Sequence, residues 1–378
     1  MFTTKLTLER NFYDNMTLKQ NSFNKTNEEI KMTDIITIGS ATMDVFVECD
    51  DANIVSASSK EHKSEYMCYP YGAKVEITEF TSNTGGGGVN TALNFANLGF
   101  STTAICKIGD DIYSRGVLEA LNKSTLDLSN VIQDKSVSTG FSIILLSFQG
   151  DRTVLAQRGA NATLKKSEIN FEAIKNAKMI YIAPLSGESN KVLTSVVEFA
   201  EKNGVRVCFN AGTTSIKRGF EYIKKIIDMA EIVVMNKEEA SLCTKIQVRP
   251  DSRTEKYSTE LIHVDIQEML KKLKINDNQT IVITDGKDGA YAYDGKTFYQ
   301  CDNFPATVVS TLGAGDAFAS TFCGALERTN QDIGKSLMYA SVNSASVVSN
   351  FGASEGFLTF DEIETKLSEK PNFIFKTL

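Results

Sequence analysis

Short apolar runs alternate with amphipathic stretches along most of the chain. IITIG (35–39), TAICKIG (103–109), MIYIA (179–183), VRVCFN (205–210), IVVM (232–235) and TIVIT (280–284) have the length and β-branched character of strands. Between them lie stretches with helical spacing: 89–99, which stops at Gly99, 114–123, and regions near 190–202, 219–229 and 258–274. Two more helical stretches, near 314–327 and 332–349, close the pattern. Uninterrupted apolar strands separated by helices predict an α/β fold with a mostly parallel central sheet covered on both faces. Ligands of such sheets bind beyond the carboxyl ends of the strands.

Two segments break the alternation. One runs from Asp44 to Thr78, with VFVE and a later YGAKVEIT; the other is GFSIILLSFQGDRTVLAQRG (140–159). Both read as paired strands rather than crossover units, and predict a small β-sheet that projects from the main one as a lid, a dimer contact or both. Residues 1–31 are polar, Asn-rich and without sustained apolar periodicity, which predicts a disordered extension. The expected organisation is therefore 1–31 as extension and 32–378 as one domain, with lid strands inserted at about 44–80 and 140–159.

Composition narrows the function classes. The 378 residues carry 40 Lys and Arg against 47 Asp and Glu, a net charge of −7, which gives no electrostatic footprint for nucleic acid. The longest apolar-rich run, Phe141 to Phe148, is far short of the ~20 residues a membrane-spanning helix needs. The N-terminus does not read as a secretory signal. The seven cysteines are scattered, with no C-x-x-C spacing, and predict free thiols in a reducing compartment, hence a cytoplasmic protein. His62 and His263 are the only histidines and no G-x-S-x-G occurs, so a serine hydrolase is disfavoured.

Two glycine-rich motifs carry the candidate chemistry. In STLGAGDAF (310–318) small residues lead into an apolar helix with Asp316 at its start. Unpaired amides at a helix N-terminus suit a phosphate or a developing oxyanion. Asp316 is either a cap or a general base towards a hydroxyl. In TGGGGVNTA (84–92) four glycines precede Asn90, a backbone-lined surface suited to a polyhydroxylated ligand. It lacks the Lys-Ser/Thr of a P-loop and the last glycine of a dinucleotide fingerprint.

Together with GSATMD (39–44), NKEE (236–239) and TDGKDGAY (284–291), these motifs occur in the order found in the ribokinase (PfkB) family of carbohydrate and nucleoside kinases, which the chain resembles from about Asp34 to about Gly356. The resemblance implies a ribokinase-like three-layer sandwich with a β-sheet lid. It implies that Asp316 is the base and that Gly313, Ala314 and Gly315 form the anion hole. Asp44, Thr42, Gly86, Gly87, Asn90, Asp151 and Asn161 would meet the substrate. Asn236, Thr284, Gly286, Gly289 and Asn343 would meet the nucleotide, and Glu239 would organise Mg²⁺ through water. The implied activity is ATP-dependent phosphorylation of a hydroxymethyl group of a sugar or sugar-like compound. A nucleoside kinase and a binding protein without turnover stay open as alternatives. A homodimer through the lid is a further implication, and no nucleic acid or membrane partner is expected. Ser310 stands where relatives often carry an Asp that helps hold a monovalent cation, so a K⁺ requirement is left open. Each motif also has a plain structural reading: NKEE caps a helix, TDGKDG turns a hairpin, Asp44 ends a turn.

Overall fold

A computed structural model describes residues 33–49, 51–58, 63–147, 152–247 and 258–378. The extension expected over 1–31 and the substrate role expected of Asp151 fall outside the described residues. The chain opens with β1 (Thr33–Ile38) and β2 (Thr42–Glu48), a hairpin of β3 (Asn53–Ser58) and β4 (Lys63–Cys68), then β5 (Glu79–Gly85) and α1 (Gly87–Asn97). It continues through β6 (Thr102–Gly109), α2 (Ile112–Asn122), β7 (Val131–Asp134), β8 (Gly140–Leu146) and β9 (Arg152–Gln157). Next come α3 (Phe171–Lys175), β10 (Ala177–Ile182), α4 (Leu193–Lys202), β11 (Arg206–Asn210), α5 (Thr213–Ile216) and α6 (Phe220–Asp228). β12 (Ile232–Asn236), α7 (Lys237–Thr244), α8 (Ser258–Leu273), β13 (Thr280–Thr284), β14 (Ala290–Tyr293) and β15 (Phe298–Cys301) follow. The last elements are α9 (Ala314–Arg328), α10 (Ile333–Val348), α11 (Phe360–Ser368) and β16 (Lys376–Thr377).

The main sheet has the order β16-β15-β14-β13-β12-β11-β10-β1-β6-β7. It is parallel from β7 to β13 and antiparallel from β14 to β16. Its strands are apolar on both sides because both sides are covered. Ile36, Ile38, Ile180 and Ile182 pack with the inner faces of α4, α6 and α8. Their neighbours Ile35, Met179 and Tyr181 pack with Phe95 of α1, Phe318 and Phe322 of α9, and Leu337 of α10. Alternate residues of one strand thus feed opposite layers, which builds the three-layer sandwich.

A separate four-stranded sheet, β5-β2-β8-β9, forms the lid. β8 and β9 realise the paired strands read from 140–159. In the other segment the strand lies at Glu79–Gly85, whereas 71–78 is exposed coil. Val75 and Ile77 alternate like a strand, but only 79–85 finds a partner, pairing with β2 along its whole length. The β3–β4 hairpin stands apart from both sheets. The sulfurs of Cys208 on β11 and Cys323 on α9 face each other across the core. Cys49, Cys68, Cys106, Cys243 and Cys301 are free thiols.

Candidate active site

The carboxyl ends of the parallel strands, the start of α1 and the start of α9 meet under the lid. β5 ends at Gly85, the chain turns at Gly86 with φ 96°, and α1 starts at Gly87. A Cβ at Gly86 would stand 2.6 Å from the Ser40 carbonyl oxygen, so the dihedral and the close approach both demand glycine. The turn sets Asn90, 3% exposed, in the first turn of α1. Its Nδ2 donates to Asp316 Oδ2 at 2.8 Å. Its Oδ1 is buried with no partner among the described residues. Gly87 faces the same carboxylate: Asp316 Oδ1 lies 3.4 Å from where a Gly87 Cβ would stand.

Asp44 completes this end. It sits on β2, 6% exposed, and its carboxylate accepts from the Thr42 and Ser142 hydroxyls. It packs against Gly85, where any side chain would displace it. Burial pushes the Asp44 carboxyl above its ordinary range, and the two hydroxyls partly oppose that. Burial likewise raises Asp316, the Asn90 bond opposes it, and the Asp44 charge raises it further. Two desolvated carboxyls that feel each other in one cleft are the environment of proton-transfer groups.

Asp316 belongs to an anion cradle. Gly313 caps α9 in the left-handed region at φ 78°, tight against the Ala353 carbonyl. Ala314, Gly315 and Asp316 are the first three residues of this 15-residue helix, whose amides there have no carbonyl one turn back. The surface at Gly315 is open, with nothing within 4 Å of where a side chain would start. Ser310 is 8% exposed, and its hydroxyl accepts from the Leu312 amide at 3.3 Å. From the lid, the Arg152 guanidinium donates to the Thr311 hydroxyl at the mouth of the cradle.

The other end is built by β12 and β13, which run parallel with Asn236 opposite Thr284. Asn236 caps α7: its Oδ1 accepts from the Glu239 amide at 2.8 Å, and Glu239 Oε2 accepts from the Asn236 amide at 3.1 Å. Burial lifts the Glu239 carboxyl to about 7, with the Asn236 amide opposing and Glu238 adding to the rise. The buried Tyr181 links the two ends. Its hydroxyl accepts from Asn210 Nδ2 at 3.2 Å, and burial, then the charges of Asp316 and Glu239, hold its proton on. TDGKDG is the turn between β13 and β14, with Gly286 and Gly289 at positive φ.

Two residues expected to meet ligands are held by protein partners. Asn343 is fully buried; its Nδ2 donates to Asn94 Oδ1 at 2.9 Å and Thr321 Oγ1 at 2.8 Å, and its Oδ1 accepts from the Leu358 amide at 2.9 Å. Its amide ties α10 to α1 and α9. Asn161, 7% exposed, exchanges two 2.8 Å bonds with the Ala41 amide and carbonyl, and so braces the loop after β1. Sequence reasoning missed Tyr181, Asn210, Arg152 and Thr311. Thr311 lies inside the STLGAGDAF motif, and Asn210 closes the VRVCFN strand at its carboxyl end, where ligands bind.

A pfkB family carbohydrate kinase model matches residues 32–359. The chain belongs to the pfkB family of carbohydrate kinases. The kinase is 28% identical over 302 residues to a 5-dehydro-2-deoxygluconokinase of Geobacillus thermodenitrificans, covering 76% of this chain and 85% of that protein. It is 24% identical over 295 residues to a ribokinase of Staphylococcus aureus, covering 77% and 91% of the two chains. Its fold matches that of Arabidopsis thaliana ribokinase solved with ribose and ATP, with a TM-score of 0.68, 20% identity, and coverage of 89% of this chain and 99% of that one. The kinase is thus a phosphotransferase that takes a carbohydrate hydroxyl as acceptor. Among the described residues no helix is long and apolar enough to cross a membrane.

Proposed function

We propose that the kinase moves the γ-phosphoryl group of ATP to a hydroxymethyl group of a sugar acid, with Asp316 as the base. The observation that carries this is the meeting of Asp316, Asn90 and Asp44 at the N-terminus of α9. Asp44 and the orphaned Asn90 Oδ1 take substrate hydroxyls, and Asn90 Nδ2 holds Asp316 in place. The hydroxyl loses its proton to Asp316 as its oxygen attacks the γ-phosphorus and the bond to the β-phosphate oxygen breaks. The amides of Gly313, Ala314 and Gly315 hold the charge on the transferred group, since phosphoryl transfer needs positioning and electrostatic help above all.

The nucleotide lies along Asn236 and the Thr284–Gly289 turn. Mg²⁺ fits a single carboxylate, Glu239, because this ion keeps several waters and takes most of its other oxygens from phosphates. The buried Glu239 carboxyl, lifted to about 7, gains a counter-charge when the ion binds. Bound Mg²⁺ neutralises phosphate charge. Ser310 brings no charge to the cation position of relatives, so K⁺ is not expected to be required.

An acidic substrate is supported by two observations. Seven of the curated relatives carry the name 5-dehydro-2-deoxygluconokinase. Arg152 brings a guanidinium to the mouth of the cleft, where it meets a hydroxyl rather than a carboxylate. The lid exposes Phe80, Val154 and Leu155, which suit contact with a second copy in a homodimer. The free thiols fit the reducing cytoplasm.

An ADP-release screen with Mg²⁺ and ATP tests this reading. The acceptors are 5-dehydro-2-deoxygluconate, ribose, fructose and adenosine, each with and without K⁺. The sugar acid is expected to give the highest kcat/KM. A preference for ribose, fructose or adenosine would overturn the substrate assignment, and no ADP with any of them would overturn the reaction.

A further inference from the structure

An ion pair joins Lys237 to Asp285, between the two motifs assigned above to the nucleotide. Sheet register produces it. β12 and β13 run parallel with Asn236 opposite Thr284, so the residues that follow each strand end also face each other. Lys237 is the first residue of α7, between Asn236 and Glu239; Asp285 lies between Thr284 and Gly286. A cation is poorly placed at the first position of a helix, where the dipole end is positive. The next two residues, Glu238 and Glu239, suit that position, and Lys237 is the exception.

The acid is the more deeply sunk partner, with its side chain 4% exposed against 19% for Lys237. Its Oδ1 faces the Lys237 ammonium, while its Oδ2 is buried with no partner among the described residues. Burial pushes the Asp285 carboxyl up, Lys237 holds it down, and Asp288 and Glu238 nearby raise it. The Asp285 backbone closes the turn: its amide donates to the Gly289 carbonyl at 2.8 Å, and its carbonyl accepts from the Asp288 amide at 2.9 Å.

We propose that the Lys237–Asp285 pair is a positioning pair for the phosphoryl donor, locking the Thr284–Gly289 turn to the end of α7 that carries Asn236 and Glu239. The pair touches neither nucleotide nor sugar. Lys237 is what holds a half-satisfied buried carboxylate inward. Without the ammonium, that carboxylate must take a proton or swing to water, because an unpaired buried charge is strongly unfavourable. The swing disturbs Gly286 to Gly289, since two of the three backbone bonds of the turn run through Asp285. α7 stays where its own Asn236–Glu239 cap fixes it. Donor binding therefore weakens, and the sugar end at Asp44 and Asn90 does not change.

This inference rests on the nucleotide lying along 236–239 and 284–289, so the experiment tests both. Lys237→Met, Lys237→Arg, Asp285→Asn, Lys237→Met/Asp285→Asn and Asn236→Ala are made in the full chain. Calorimetry gives the affinity for Mg²⁺–ADP, steady-state kinetics gives KM for ATP and for the sugar, and thermal melting gives stability. Lys237→Met is expected to weaken Mg²⁺–ADP binding and raise KM for ATP about tenfold, the scale of one charged hydrogen bond, with the sugar KM within about twofold. Lys237→Arg restores affinity, and the double variant is no worse than Lys237→Met, because neutralising both partners removes the stranded charge. If Lys237→Met does not fold, Asp285→Asn carries the same expectation, since it keeps the shape and loses the charge. Lower stability with wild-type Mg²⁺–ADP affinity would overturn the proposal and leave the pair a structural tie. Unchanged affinity in Asn236→Ala would instead overturn the nucleotide assignment on which the proposal stands.

Discussion

Replacing Asp316 by Asn separates the base from the cap and the cradle. The amide has the volume of the carboxylate and keeps one oxygen, which can accept from Asn90 Nδ2 as the carboxylate does at 2.8 Å. What disappears is the proton acceptor and the negative charge. A positioned general base contributes on the order of 10²–10⁴ in rate. That corresponds to about 3–5 kcal/mol of barrier at 1.36 kcal/mol per tenfold. Stability moves the other way. Burial raises the Asp316 carboxyl in the folded chain, first of all, and Asp44 adds to it. A raised carboxyl contributes most to stability below its unfolded value, and that contribution is lost as pH rises through its folded value. The ionised form of Asp316 is a burden on the fold, and Asn does not carry it. Asp316→Asn is therefore expected to lower kcat by two to four powers of ten, leave sugar and Mg²⁺–ADP affinities within about threefold, and melt no lower than wild type. The assay pairs ADP release with calorimetry and a melt at pH 7.5. Turnover within tenfold of wild type would refute the base assignment; loss of fold together with turnover would make Asp316 a structural cap.

Four further outcomes follow from named contacts. Glu239 has its carboxyl lifted to about 7 by burial, so it gains its charge through neutral pH. Mg²⁺ half-saturation should rise as pH falls from 8 to 6, and Glu239→Gln should flatten that profile; a wild-type profile already flat would contradict the metal assignment. By the same linkage, the metal-free protein loses Glu239's contribution as pH rises through about 7, so its melting temperature should fall between pH 6 and 8. Arg152→Ala should raise KM for a sugar acid about tenfold, the scale of a charged hydrogen bond, and leave KM for a neutral sugar unchanged. Asn343→Leu strands Asn94 Oδ1 and the Leu358 amide and should destabilise by about 1–3 kcal/mol without weakening ATP, as read by denaturant melts and KM.

The main sheet was legible because it is buried on both faces. Runs such as IITIG and TIVIT have no polar side to present, and Gly or polar residues close them. The long helices announced themselves by spacing, although α1 begins at Gly87, inside the glycine run. The lid was harder. β9 is exposed along its length, so its composition carries little of the alternation that marks a half-buried strand. The strand expected at 71–78 failed because periodicity cannot report whether a partner exists, and β2 pairs with 79–85. α11 and β16 were not expected: α11 is short, and β16 is two residues that add to β15.

Site chemistry divides along the same line. Asp316, Asn90 and Asp44 come from three motifs far apart in sequence, and each was legible as a local pattern. Which face a residue turns to was not. Asn343 lies on a helix packed on its neighbours, and spacing alone could not say that its amide points inward. Arg152 with Thr311, and Lys237 with Asp285, are pairings made by the fold. The first crosses from lid to cradle over 159 residues, and the second follows from parallel register. The plain structural readings of NKEE and TDGKDG hold: the first caps a helix and the second turns a hairpin, both at the carboxyl edge of the sheet.

The most direct test is a crystal structure of the kinase with its preferred sugar, ADP, Mg²⁺ and aluminium fluoride in place of the transferred phosphoryl group. The acceptor hydroxyl should lie within ~2.6–3.2 Å of an Asp316 carboxylate oxygen. The fluoride group should stand between that hydroxyl and the β-phosphate, on the amides of Gly313 to Gly315. A sugar bound with its hydroxyl away from Asp316, or a phosphoryl mimic held anywhere but the start of α9, would contradict the account.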